Sequence, residues 1–554
     1  MPVPESSSQV ESEMFEFFKQ SAPTYAYASG LDEYAGKLFI PFGKNLESFC
    51  GRVEELRLKS ENESQMKRLE SLSASYCLQE PHQFPGWVLN SYSVHLTKEG
   101  IIPGHMIALT RNAVKGFQIG TKEHHGKDWP VGQRILTLIR CNGIQKVIKI
   151  IDEQTMNKRL KQLLGDLGEA AGKYASLFNL NGFNTGGFEE VDKIITRDGA
   201  QLGRGKIYAR ALKMLWDYRE TPSEVEENSL RLLNRELPHL VRITAELARK
   251  YKVGSKPEEL SKAIRLEKSL KPTEVIPFLR ELRKLTVTVV NKTIVRVNRK
   301  YDTRVIETPP YLSGVIATAG AYSFDGFTDD PKEIFMITTS QNRESHRAPS
   351  ELLQLLVHEE YGHNVHSSNS SLPYETKPTL TDMLWSPLKA IMLGIYFQRE
   401  AEFQGVMEKL RDGKHLNRDE KLLAEFFEGH GGMQAFAEEY EFHTCMWRVI
   451  RFLRAIGDAR INSDKQSLLD FIEWASKMTG LSKATVYYQV FPSHQGVGPG
   501  YATTYAVMGE IIREIQNKAI RNGKSILDFN TYACSIGYPP KTIFEERLRA
   551  FASM

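Results

Sequence analysis

Residues 358–366 read His-Glu-Glu-Tyr-Gly-His-Asn-Val-His. Imidazoles and carboxylates are the side chains that bind zinc and move protons at neutral pH. His358 and His363 are five positions apart, and Glu359 directly follows the first. The usual zinc helix spaces its histidines four apart, so that both rings leave from one face. Five positions on a regular α-helix separate the rings by roughly 140°, too far for one ion. A local π turn, at about 4.4 residues per turn, reduces this to roughly 50°. Gly362 relaxes the backbone where such a turn must form. The expectation is one Zn2+ per chain held by His358 and His363, with Glu359 as general base taking a proton from zinc-bound water.

The element carrying these groups must be buried. Leu352, Leu353, Leu355, Leu356 and Val357 precede the motif, with only Gln354 interrupting, and Pro349 with Ser350 as cap marks the helix start. Ionised groups on such a helix are costly unless paired or bound to metal. A third metal ligand is expected from the later segment QREAEFQG. Glu400 shares a helix face with Leu393, Tyr396, Phe397 and Met407, so it is the first choice, and Glu402, on the face of Gln398, Arg399 and Lys409, is the second. Glu360 either supports the ligands or faces solvent. His366 falls outside the ligand set, because the Ser/Asn run after it reads as a loop. A competing reading pairs Glu360-x-x-His363 with Glu236-x-x-His239 in a di-iron bundle, but Pro238 is expected to break or kink the second helix.

The surrounding pattern predicts a mainly α chain with a small sheet. Residues 1–10 read as a disordered tail, 11–79 as mostly helical, and 84–133 as irregular because of their Gly, Pro and His content. Leu160, Leu163, Leu164 and Leu167 form a helical apolar stripe. The glycine-rich stretch 179–206 lacks the spacing of a phosphate loop. Residues 223–300 read as basic helices, with solvated faces or a wall attractive to acidic peptides. Residues 333–340 read as a strand whose exposed edge could pair with an extended peptide. The stretch 491–500 reads as a loop, and its glycines let a backbone approach a ligand closely.

Composition narrows the classes. The 554 residues are 41% hydrophobic and 25% charged, with net charge +4, which suits a globular protein and not a dedicated nucleic-acid binder. No apolar run is long enough to span a membrane, and the N-terminus is polar and acidic where a signal peptide is basic and then apolar. Five scattered cysteines without a Cys-x-x-Cys pair point to a reducing, cytoplasmic compartment.

The string HEEYGHNVH, the later Glu400 and the segment PSHQGVGPGYATTY together resemble gluzincin metallopeptidases, and are similar to thimet-oligopeptidase-like enzymes. That resemblance implies that His494, Tyr501 and Tyr505 contact substrate and stabilise the transition state. A longer ordered match, over roughly 300–554, resembles a largely uncharacterised bacterial family with a His-Glu-x-x-Pro-Gly-His-His motif. Its order is followed here by ETPPYL, EIFMITTS, HEEYGH, QREAEFQG, MWRVIRFLRAIGDARI and PGYATTYAVMGEI. The chain departs from that pattern in lacking Pro before Gly362 and a Glu-Gly-Trp-like signature on the Glu helix. The His-Glu-x-x-x-His spacing is shared with tyrosine carboxypeptidases that trim acidic tubulin tails. These resemblances imply a two-lobed helical gluzincin-like metallopeptidase with a small active-site β-sheet. Residues 11–300 would line one side of a cleft, and 301–554 would form the catalytic region. The implied activity is zinc-dependent hydrolysis of peptides, as carboxypeptidase or oligopeptidase, without nucleic-acid or membrane partners. Arg399, Arg451 and Arg454 are candidates to clamp a C-terminal carboxylate. The alternative is a peptide-binding scaffold of the same fold that has lost its metal.

Overall fold

The computed structural model describes residues 9–78, 80–124, 126–199, 201–298, 302–310, 312, 316, 318–328, 330–339, 347–370 and 393–554, with side chains of the last segment described from 398. The chain is mainly helical with one small sheet, as its periodicity predicts. Proline at the first helical position opens Pro222–Tyr251, Pro257–Lys268, Pro272–Thr293 and Pro349–Leu356, where its fixed φ costs nothing and its missing N–H would have no partner in any case. Among the described residues no helix is long and apolar enough to cross a membrane.

Several local expectations are corrected. Residues 84–133 are not irregular; they lie mostly in helices Gln83–Glu99, Pro103–Glu123 and the start of Val131–Gln154. Gly116 and Gly120 serve packing, whereas Gly100, with φ 74°, ends helix Gln83–Glu99. A Cβ on Gly116 would stand 2.1 Å from Cζ of Phe84, and one on Gly120 would stand 3.1 Å from Cζ of Phe42. Pro238 does not break its helix, which runs unbroken from Pro222 to Tyr251. Gln9 already opens helix Gln9–Ser21, while residues 1–8 of the expected tail lie outside the described residues.

The sheet has three strands, β1 (Thr303–Glu307), β2 (Ala319–Phe324) and β3 (Lys332–Ile337), in the order β1-β3-β2. β3 is central, parallel to β1 and antiparallel to β2. Both its edges are therefore paired, and the expectation that it offers an edge to a peptide is wrong (Ser340 lies outside the described residues). Its near-continuous apolar run, Ile334 to Ile337, is that of a strand covered on both faces. Phe335 and Ile337 pack into the core that holds Leu352, Leu356 and Val365, while Ile334 and Met336 join a second core with Tyr505 and Met508. The strand thus links the motif helix to the segment around Tyr505.

Candidate metal centre

The helix Pro349–Leu356 is capped by Ala348, and Ser350, the expected cap, instead donates to Glu439 at 2.9 Å. Every residue of this helix is buried. At Val357 the backbone changes to a π-helix that runs to Asn364 and then returns to α-helix over Val365–Ser370. The loosened turn expected from the histidine spacing is thus present. The Ser/Asn run after His366 continues the helix, against the expectation of a loop, and His366 packs on Tyr538 with ring centroids 5.0 Å apart.

The π segment brings His358 and His363 together, with ring centroids 5.2 Å apart. One ligand atom each from His358, Glu359 and His363 lie within 4.8 Å of one another. Oε2 of Glu359 is 3.8 Å from Nε2 of His363. Glu360 faces the other way, fully buried, and accepts from Nε of Arg283 at 2.6 Å. It therefore neither faces solvent nor joins the donor group, which removes the Glu-x-x-His element of the di-iron reading. In the same reading Glu236 pairs with Arg448 at 3.4 Å.

Glu400 is fully buried and reaches the motif, but beside His358 and outside the three-donor group. Its Oε1 lies 3.0 Å from Nδ1 of His358, and Gln354 donates to the same oxygen at 2.8 Å. Arg451 clasps the carboxylate through both terminal nitrogens, at 2.6 and 2.8 Å. Nη2 of Arg451 stands 3.1 Å from the same Nδ1, so Glu400 and Arg451 together orient the ring through Nδ1 and leave Nε2 of His358 for a metal. Gln354, the one polar residue in the apolar run, stands one turn before His358 for this reason. Glu402, the second choice, is turned away: it accepts from Arg399 at 2.8 Å and from Gln516 at 2.7 Å. The side chains of Leu393, Tyr396 and Phe397, named with Glu400, lie outside the described residues.

His494, Tyr501 and Tyr505 form a single aromatic cluster. His494 stacks on Tyr501 with centroids 5.6 Å apart, and Tyr505 meets His494 edge-on at 5.6 Å. Two further π segments, Phe491–Gln495 and Thr504–Met508, carry His494 and Tyr505. The expected loop at 491–500 is thus partly helical, and its turn is made at Gly498 and Gly500, both with positive φ. A Cβ on Gly500 would stand 2.5 Å from Cδ1 of Trp216. Of the three expected clamp arginines, Arg399 is committed to Glu402 and Arg451 to Glu400. Arg454 has no acidic partner among the described residues; it bonds Gln489 and lies 5.3 Å over the Tyr505 ring.

Electrostatics sort these groups by role. Burial pushes the Glu359 carboxyl above its ordinary value, against the pull of His358 and Arg451. Burial also drives His363 well below its ordinary value, with His358, His366 and Arg451 adding to the effect, so its ring is neutral and able to coordinate. His494 is held neutral by burial and by Arg454, and burial keeps the Tyr501 phenol protonated as a donor. For Glu400, burial works upward, but Arg451 and the His358 bond outweigh it and hold the carboxyl down to about 2.

His363 and Tyr501 line a cavity of about 1390 Å³, which Tyr322 of β2, Gln489, Trp216 and Arg140 also border. The volume exceeds what a drug-sized ligand needs. The donor chemistry fits a zinc ion: two imidazoles and one carboxylate from the same buried segment, with His363 bordering a large cavity.

No family profile and no curated protein matches the chain. Two solved structures share its fold over nearly its whole length. One is a candidate lipoprotein from Colwellia psychrerythraea, with TM-score 0.66 and 13% identity, covering 98% of this chain and 99% of that one. The other is a candidate lipoprotein of unknown function from Shewanella oneidensis, with TM-score 0.66 and 14% identity, covering 99% of this chain and 100% of that one.

Proposed function

We propose that the chain is a zinc-dependent peptidase of gluzincin type that hydrolyses peptide bonds. The observation that carries this reading is the π turn that gathers His358, Glu359 and His363 within 4.8 Å of one another beside a large cavity. His358 and His363 would hold one zinc ion, with Glu400 orienting His358. A zinc ion there supplies Lewis acidity, polarising the scissile carbonyl and acidifying the attacking water.

The remaining steps belong to the chain. Glu359 takes the proton from the attacking water and returns it to the leaving amine. The neutral His494 and the protonated Tyr501, with Tyr505 packed beside them, would donate hydrogen bonds to the developing oxyanion. β2 borders the cavity beside the motif and carries the outer edge of the sheet, so it takes over the backbone-pairing role first expected of β3. The division into a cleft-lining region before 300 and a catalytic region after it, and a cytoplasmic location inferred from five scattered cysteines, belong to the same reading.

The test is Glu359→Gln. Wild-type protein with zinc should cleave a mixed peptide library, and the variant should retain zinc but lose cleavage by at least about 100-fold, the lower range for a general base. Equal cleavage by the two proteins sinks the mechanism. Protein that binds peptides but never zinc is the metal-free scaffold.

A further inference from the structure

We propose that Arg140 is the receptor for a carboxylate of the peptide substrate, so that the cavity selects peptides by a negative charge placed away from the scissile bond. This rests on the peptidase reading and assigns its substrate class.

Arg140 lies on helix Val131–Gln154 and borders the same cavity as His363 and Tyr501. Its guanidinium abuts Gly496, where a Cβ would stand 2.9 Å from Nη2. Any larger residue at 496 would displace the guanidinium. Four buried arginines have carboxylate partners: Arg68 with Glu11, Arg204 with Glu80, Arg399 with Glu402 and Arg451 with Glu400; buried Arg454, like Arg140, has none among the described residues. Arg140 makes no ion pair or hydrogen bond among the described residues, although burial lowers its pKa. Arg140 is half-buried in the cavity wall, and a guanidinium partly withdrawn from water without an anion costs stability. An anionic ligand would offset that cost, and the planar fork of arginine suits a carboxylate bidentately.

The rest of the wall points the same way. Lys146 and Lys149, on the same helix, border the cavity as well. Glu153 is the one carboxylate among the described lining residues, and it stands 4.0 Å from Lys149. Arg454 adds an uncompensated charge behind Gln489, itself a lining residue. A field of one sign in a concave site concentrates ligands of the other.

The experiment compares three labelled peptides of one neutral sequence: the free acid, the C-terminal amide, and the amide with one internal Glu. Hydrolysis is followed with zinc-loaded wild type, Arg140→Gln and Arg140→Lys, and binding is followed by anisotropy in the Glu359→Gln background. Wild type should prefer a carboxylate-bearing peptide over the plain amide by at least tenfold in kcat/KM. Arg140→Gln should erase the preference mainly through KM, with zinc content unchanged, and Arg140→Lys should restore part of it. Preference for the free acid assigns the C-terminal carboxylate; preference for the Glu amide assigns a side chain. Cleavage of all three peptides at one rate, or a preference that survives Arg140→Gln, overturns the proposal and leaves the peptidase reading standing. Absence of cleavage in every case overturns the peptidase reading; the binding data then decide separately whether Arg140 receives a carboxylate. Should Arg140→Gln fail to fold, Arg140→Lys alone decides through the same ratio, which it should reduce.

Discussion

Nδ1 of His358 and Oε1 of Glu400 stand 3.0 Å apart, in a buried contact that Arg451 joins with two bonds to the same carboxylate and with Nη2 3.1 Å from the same Nδ1. The carboxylate and the arginine together hold the ring, and the arginine keeps the carboxylate ionised. On the proposed zinc reading, Glu400 would act on the metal through His358, by orientation and basicity.

Glu400→Gln keeps the shape of this contact and removes its charge. Zinc affinity should fall by about 10- to 100-fold, the usual effect of losing such a support. Competition with a fluorescent chelator measures it. Unchanged affinity would mean that the contact does not tune His358.

The aromatic cluster makes a separate prediction. Tyr501 stacks on His494, and burial keeps its phenol protonated. Tyr501→Phe keeps the ring and removes the donor. Loss of about 2.7–4 kcal/mol of transition-state stabilisation should appear in kcat, with little change in KM. An equal kcat would show that Tyr501 only packs.

Stability should fall with acid in two stages. His443 is buried, and neither ring nitrogen is hydrogen-bonded among the described residues. Burial pushes its pKa down to about 4, with Glu351 opposing and Arg265 assisting. Its folded value lies below its unfolded one, so protonation favours the unfolded chain. The stability it carries is complete above about pH 6.5 and is lost as pH falls toward 4. Glu351 follows. Burial raises its carboxyl, but Arg347 and Arg265 outweigh burial and hold it at about 2. Its contribution is present above about pH 4.3 and is lost as pH falls through about 2. His443→Gln should flatten urea-unfolding stability between about pH 6.5 and 4.3 and leave the lower stage intact. An unaltered upper slope would contradict the assignment.

Packing at Gly116 can be tested against an internal control. A Cβ there would overlap the ring of Phe84, whereas one at Gly165 meets nothing within 4 Å. Gly116→Ala should destabilise by about 1–3 kcal/mol, and Gly165→Ala should stabilise by about 0.5–1 kcal/mol, as alanine does in a helix interior. Thermal unfolding of both variants checks the signs.

The legible part of the site was the part written in one short segment. His358, Glu359 and His363 are close in sequence, so their spacing alone demanded the π turn that is present. The mainly α class followed from periodicity in the same way. What failed depended on distant partners. Glycine in Gly116 and Gly120 looked like turn chemistry, because the aromatic rings that need the space come from elsewhere in the chain. The Ile, Phe and Thr content of 333–340 marks a strand, which forms over Lys332–Ile337, but its central position depends on two strands supplied by separate segments. Helix face alone favours Glu400 over Glu402, yet its role depends on Gln354 and Arg451, which are remote in sequence. Gln354 did leave a signal, as the single polar residue in an apolar run. Arg140 left none, because what distinguishes it is the carboxylate that no neighbour supplies.

The most direct measurement is metal stoichiometry by elemental analysis of protein purified without added metal and then equilibrated with zinc. Wild type should bind about one zinc per chain, as a single catalytic site requires, and His363→Ala should bind far less under the same conditions. A wild type without stoichiometric zinc, or a His363→Ala protein that binds it equally well, would contradict the metal centre on which the account is built.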